Sequence, residues 1–189
     1  MSASDLALVR FHQDRGAVIS ACERYRYWLH RRWVVGQGWT VFIMLNPSTA
    51  DAEVDDPTIR RCISFAKRWG SQGLIVVNLF AARATDPRKL ITFGDPEGPQ
   101  NHAYVLKACE LAAEHEPDYV NGGKPIRHGK LVCAWGAHDT DITQAQVRQV
   151  AGWIDASCAM PLCLGKTKSG APRHPLYVPK AAPLETFAL

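Results

Sequence analysis

Two stretches of the chain are apolar without polar alternation, residues 39–45 (WTVFIML) and 74–80 (LIVVNLF, broken only by Asn78). Both are rich in β-branched and aromatic side chains, which predicts strands covered on both faces. Residues 130–135 (KLVCAW) form a third such strand, and 161–164 (PLCL) a short fourth. Between the first two, Ile59, Cys62, Ile63, Phe65, Ala66 and Trp69 recur at helical spacing. Asp56 is placed to cap that helix, Pro57 to occupy its first turn, and Gly70 or Gly73 to end it. Further helices are expected over 101–113 and 143–158. Strand, helix, strand in this order predicts a single α/β domain over 1–189 around a mostly parallel central sheet.

The remaining segments are patterned differently. Residues 25–35 (YRYWLHRRWVV) alternate as a half-buried strand does. A turn at 36–38 would let this segment form an antiparallel hairpin with 39–45 at one sheet edge, since so basic a strand is unsuited to a central position. Residues 1–20 are weakly patterned and expected to fray or form a short helix. Residues 81–100 read as a long irregular segment, 114–130 as a loop, and 184–189 as a packed last turn. No internal repeat is evident.

Composition narrows the class. The chain has 189 residues, 47% of them apolar and 21% charged, with 14 Gly and 12 Pro. These values exclude a disordered, collagenous or supercharged chain. No apolar run reaches the length of a membrane span, and the N-terminus has no secretory-signal pattern. Six cysteines without a CxxC pair read as buried free thiols in a reducing compartment, so a cytoplasmic location is expected. A formal charge of +4 permits a nucleotide or nucleic-acid partner without demanding one. Nothing in the sequence speaks for or against protein partners.

The candidate chemistry lies where the strands end. Open α/β sheets bind ligands beyond the carboxyl ends of their strands. Parallel, adjacent strands would gather Asn46, Ser48, Thr49, Asp51, Asn78, Arg83, Trp135, His138 and His174 on that edge. Each also has a plainer reading. Residues 46–49 suit an Asx or Ser/Thr turn. Asn78 needs a ligand or a backbone partner, because a buried unpaired amide is costly. Arg83 suits a phosphate or Asp86 equally well. Lys166, Lys168, Arg173 and Lys180 make a basic segment that would meet phosphate or only water. Asp51, Glu53, Asp55 and Asp56 are more simply helix-capping and solvated groups than a cation site. HExxH, phosphate-loop, GxSxG and zinc-deaminase patterns are absent, so no metal and no cofactor are expected.

The segments FIMLNPSTAD (42–51), DDPTIRRC (55–62), VNLFAARATDP (77–87), AWG (134–136) and LGKTKSGAPRHPLY (164–177) resemble a bacterial and phage domain family of unknown function. The likeness runs over about residues 24–187. The order of short motifs also resembles, more distantly, the uracil-DNA glycosylase superfamily. That resemblance implies a three-layer α/β/α fold with four parallel strands, to which this chain would add an N-terminal antiparallel edge strand. It implies that Asn46 positions the attacking water, that Asn78 recognises the base, and that His174 supports the leaving base. Pro47 stands where the commonest branch carries its water-activating carboxylate, and Asp51 is the candidate substitute. Arg83, Lys168 and Arg173 would hold phosphate, with Ser48, Thr49 and Trp135 completing the substrate-binding set.

These observations lead to an expectation of a nucleotide- or nucleic-acid-directed enzyme that hydrolyses an N-glycosidic bond. A non-catalytic binding domain using the same crevice, and a structural or protein-interaction domain, are the alternatives.

Overall fold

The computed structural model describes residues 14–33, 35–117, 125–127, 129–138 and 140–189. Its centre is a seven-stranded sheet. In chain order its strands are β1 (Arg15–Ile19), β2 (Arg26–Arg32), β3 (Trp39–Met44), β4 (Gly73–Asn78), β7 (Lys130–Cys133), β8 (Pro161–Cys163) and β9 (Glu185–Thr186). Across the sheet the order is β1-β2-β4-β3-β7-β8-β9. The four middle strands, β4, β3, β7 and β8, are parallel, and the flanking pairings are antiparallel. Strands β5 (His115–Pro117) and β6 (Pro125–Arg127) form a separate hairpin.

Helices cover both faces. Helix α1 (Pro57–Arg68) packs Ile59, Cys62, Phe65 and Ala66 against Phe42, Met44, Leu74, Val76 and Val132. Helices α2 (Asn101–Ala113) and α3 (Asp141–Ala156) cover the other face, where Val41, Ile43, Leu45, Ile75 and Val77 meet Val105, Cys109, Val150 and Ile154. Successive strand residues thus serve opposite cores, which is why β3 and β4 show no polar alternation. Asp56 caps α1 by accepting from the Ile59 N–H at 2.8 Å, and Pro57 occupies the first turn, as expected.

The chain leaves β3, crosses over α1 to β4 on one side, then crosses over α2 to β7 on the other. The direction of winding therefore reverses at β3. Its carboxyl end, Met44-Leu45-Asn46, is the topological switch point where open α/β sheets form a ligand crevice.

Several expectations need correction. Strand β2 does not form a hairpin with β3. It pairs with β4 on one side and β1 on the other, and residues 26–31 are all buried. Its arginines are not a solvated edge but props for the loop after β3. Arg26 Nη1 donates to Ala50 O at 2.7 Å. Arg31 donates from Nη2 to Asp51 O at 2.7 Å and from Nε to Asp55 Oδ1 at 2.8 Å. Burial lowers the Arg26 pKa only to about 10, so it stays charged at neutral pH. The expected fray or helix at 1–20 contains a strand, β1. Residues 1–13 lie outside the described ones. The loop at 114–130 contains β5 and β6, and residues 118–124 and 128 within it are also outside the described residues. The C-terminal turn at 184–189 instead contains β9, paired to β8. All six cysteines are free; four are buried, while Cys22 and Cys158 are exposed.

Candidate functional site

A cavity of about 760 Å³ opens at the carboxyl ends of β3 and β7. Four segments supply most of its lining. Strand β3 ends at Met44, and the chain runs on into the cavity through Leu45 and Asn46. This segment is zipped to the one after β4: Leu79 N–H donates to Met44 O at 2.8 Å, and Ala84 N–H to Pro47 O at 2.9 Å. Asn46 Nδ2 donates to Ala84 O at 2.7 Å and to Pro47 O at 3.0 Å. Both amide N–H groups are spent, so Asn46 offers the cavity its carbonyl oxygen, an acceptor.

The second segment follows β7. Trp135, Gly136, Ala137 and His138 line the cavity, and Gly136 adopts φ +78°, a left-handed conformation that favours glycine. Its N–H donates to Pro172 O at 2.9 Å, tying it to the third segment, the 165–174 turn. That turn is closed by Arg173 N–H to Gly165 O at 2.9 Å and Thr167 N–H to Ala171 O at 2.8 Å. It presents Thr167, Lys168, Arg173 and His174. The fourth segment is the first turn of α1, which contributes Thr58.

His174 is held in a defined tautomer. Its Nδ1 accepts from the Leu176 N–H at 3.3 Å, so in the neutral ring Nε2 carries the proton. The turn that follows it, Pro175–Tyr177, is pinned to α1 because Arg61 donates to the carbonyls of Pro175 and Val178. Burial lowers the His174 pKa, and the nearby His138 lowers it further, against a smaller opposing pull from Asp56. Burial alone lowers that of His138. Both rings are therefore neutral at pH 7. Lys168 and Arg173 supply positive charge, while no described lining residue is acidic.

The expected site residues divide into groups. Asn46, Ser48, Trp135, Lys168, Arg173 and His174 line this cavity. Thr49 and Arg83 line a neighbouring one of about 380 Å³, which Ser48 also borders. Asp51 lines neither. Its carboxylate accepts the N–H groups of Glu53 and Val54, each at 2.8 Å, and these bonds hold its pKa low. The geometry makes Asp51 a loop-capping residue that lines neither cavity. Asn78 is buried in register with Met44, one strand away from the cavity wall. Its Nδ2 has no hydrogen-bond partner. Arg83 does not pair with Asp86, which is taken by Arg88 at 2.8 Å. Thr58, Thr85, Pro87 and Tyr177 also line the larger cavity and escaped notice, since hydroxyl groups on turns carry no distinctive spacing.

The acidic cluster is likewise consumed locally. Asp55 pairs with Arg31 at 2.7 Å and with Arg15 at 3.3 Å, while Asp56 caps α1.

The family model described as a protein of unknown function (DUF1643) matches residues 26–176. The chain belongs to the DUF1643 family. The match begins at β2 and ends in the turn after His174, so the DUF1643 region holds every described lining residue of the cavity except Tyr177. A search of curated proteins and one of solved structures found no match. Among the described residues, no helix is long and apolar enough to cross a membrane.

Proposed function

We propose that this DUF1643 chain binds a nucleotide, free or within a nucleic acid, in the 760 Å³ cavity and hydrolyses its N-glycosidic bond. The observation that carries the proposal is the lining itself. Two cations, two neutral histidines, an amide acceptor and an indole converge at the switch point, with no carboxylate among the described lining residues. Such a lining suits an anionic, aromatic ligand, and the volume lies in the usual range for small-molecule sites. A sheet with four parallel strands and helices on both faces accords with the distant resemblance to uracil-DNA glycosylases.

In this reading Lys168 and Arg173 hold phosphate. Asn46 Oδ1 accepts a hydrogen bond from water and orients it toward the anomeric carbon. The water oxygen bonds that carbon as the carbon–nitrogen bond breaks, and the bonding pair leaves with the base. The water proton passes to His138, the group best placed to replace the missing carboxylate. The His174 Nε2–H donates to the departing base, where negative charge develops, a stabilisation greatest in the transition state.

A non-catalytic reader of the same ligand is the second reading, favoured by that same lack of a carboxylate. Incubation with nucleosides, nucleotides and uracil- or hypoxanthine-containing oligonucleotides, followed by melting and mass spectrometry, separates the two. Stabilisation with free base released supports the enzyme. Stabilisation without release supports the reader.

A further inference from the structure

The smaller cavity, about 380 Å³, is lined by Ser48, Thr49, Arg83, Thr85 and Lys89 with Phe93 at its side. Ser48 and Thr85 also line the larger cavity, so the two spaces adjoin. Three hydroxyl groups and two cations with no acidic side chain among the described lining residues is a phosphate-binding composition. Arg83 is the informative member. Its Nη1 donates to Glu23 O at 3.1 Å, and its Nε is buried without a partner. The acidic groups nearby are engaged elsewhere. Asp86 binds Arg88 through both carboxylate oxygens, and Asp51 takes two backbone N–H groups. An arginine held against the protein without a carboxylate partner leaves its charge available to a ligand.

We propose that this cavity is a second phosphate subsite, so that the ligand carries a phosphate beyond the one held by Lys168 and Arg173. Arg83 and Lys89 supply the charge, and Ser48, Thr49 and Thr85 the hydroxyl donors. Ser48 and Thr85 lie between the two sites, where the linking atoms of the ligand pass. The subsite is independent of any bond cleavage and goes beyond the proposed N-glycosidic reaction. Two sources of such a phosphate share this chemistry: the polyphosphate tail of one nucleotide, and the neighbouring phosphodiester of a strand.

The test is a titration of the isotope-labelled protein with inorganic phosphate and pyrophosphate, read by amide chemical shifts. Shifts at Ser48, Thr49 and Thr85 are expected. Arg83→Gln and Lys89→Ala should each weaken pyrophosphate binding there roughly tenfold. Lys89 is exposed, so its variant keeps the test readable if Arg83→Gln fails to fold. Lys107→Ala, on the outer face of α2, is the charge control and should change nothing. His174→Ala removes the proposed leaving-group donor yet should still bind pyrophosphate, so failure of the reaction and failure of the subsite are seen separately. A nucleoside triphosphate that outbinds its monophosphate tenfold only while Lys89 is present assigns the subsite to a polyphosphate tail. The same pattern for a trinucleotide over a mononucleotide assigns it to a strand. Absence of both gains, shifts confined to residues 167–174, or unchanged affinity in both variants overturns the inference.

Discussion

His138 and His174 meet at Gly136. The Cβ of His174 lies 3.6 Å, and Nε2 of His138 3.8 Å, from the point where a side chain on Gly136 would begin. The backbone turn that glycine adopts readily thus lies against the side chains of both histidines. Two histidines far apart in the chain come together because the 165–174 turn is bonded to Gly136, just after β7.

The first prediction concerns pH. Both histidines have lowered pKa values, so both are neutral above the ordinary histidine value of about 6.5. In the proposed reaction His138 takes up the water proton, which requires the neutral ring. It shares its cavities with His174, Lys168, Arg173 and Tyr177, with Arg148 of α3, and with Asp86 and Arg88. The pH profile of kcat/KM should be flat near neutrality and fall with an acid limb centred below 6.5. Stability should follow the same sign: the unfolded chain takes up protons first, so stability is complete above about 6.5 and declines as pH falls. A profile rising toward pH 5 would contradict the assignment.

The second concerns Arg31. Its guanidinium is buried and holds Asp55 together with the carbonyl of Asp51. Arg31→Met leaves Asp55 with only the more exposed Arg15, and should cost roughly 3 kcal/mol. Chemical denaturation measures this. A loss below about 1 kcal/mol would mean that the loop after β3 holds itself.

Asn78 supplies the third. Its Nδ2 is buried and unpartnered beside Met44, whose side chain lines the cavity. Relieving an unpaired buried donor should leave Asn78→Leu at least as stable as the wild type. If the amide reads the ligand after Met44 shifts, the same variant binds nucleotide at least tenfold more weakly. Melting curves and binding isotherms give both quantities. Unchanged affinity would remove Asn78 from the site.

The elements that were legible in the sequence share one property: their signals are local. Asp56-Pro57 marks a helix start by its own chemistry, and the runs at 39–45 and 74–80 mark buried strands because they are short and rich in β-branched and aromatic residues. Strand β2 misled because Arg26 bonds the Ala50 carbonyl, and Arg31 the Asp51 carbonyl and the Asp55 carboxylate, in a loop 20 or more residues away, and neither long-range partner has a local sequence signature. Asp51 misled for a related reason. A carboxylate near an active-site motif and one that caps a turn are the same residue until the N–H groups of Glu53 and Val54 are seen to occupy it. Strand β9 was hidden by its two-residue length. The larger cavity was foreseeable in outline, from polar residues at strand ends, but its division from the Arg83 pocket was not.

The most direct test of the central claim is the release of free base from nucleotides and oligonucleotides by the wild type, Asn46→Ala and His174→Ala, followed by mass spectrometry. Base released by the wild type, and lost by at least a hundredfold in both variants while each still folds, is the predicted result. Release that survives both substitutions, or no release from any substrate by a wild type that binds nucleotide, would contradict it.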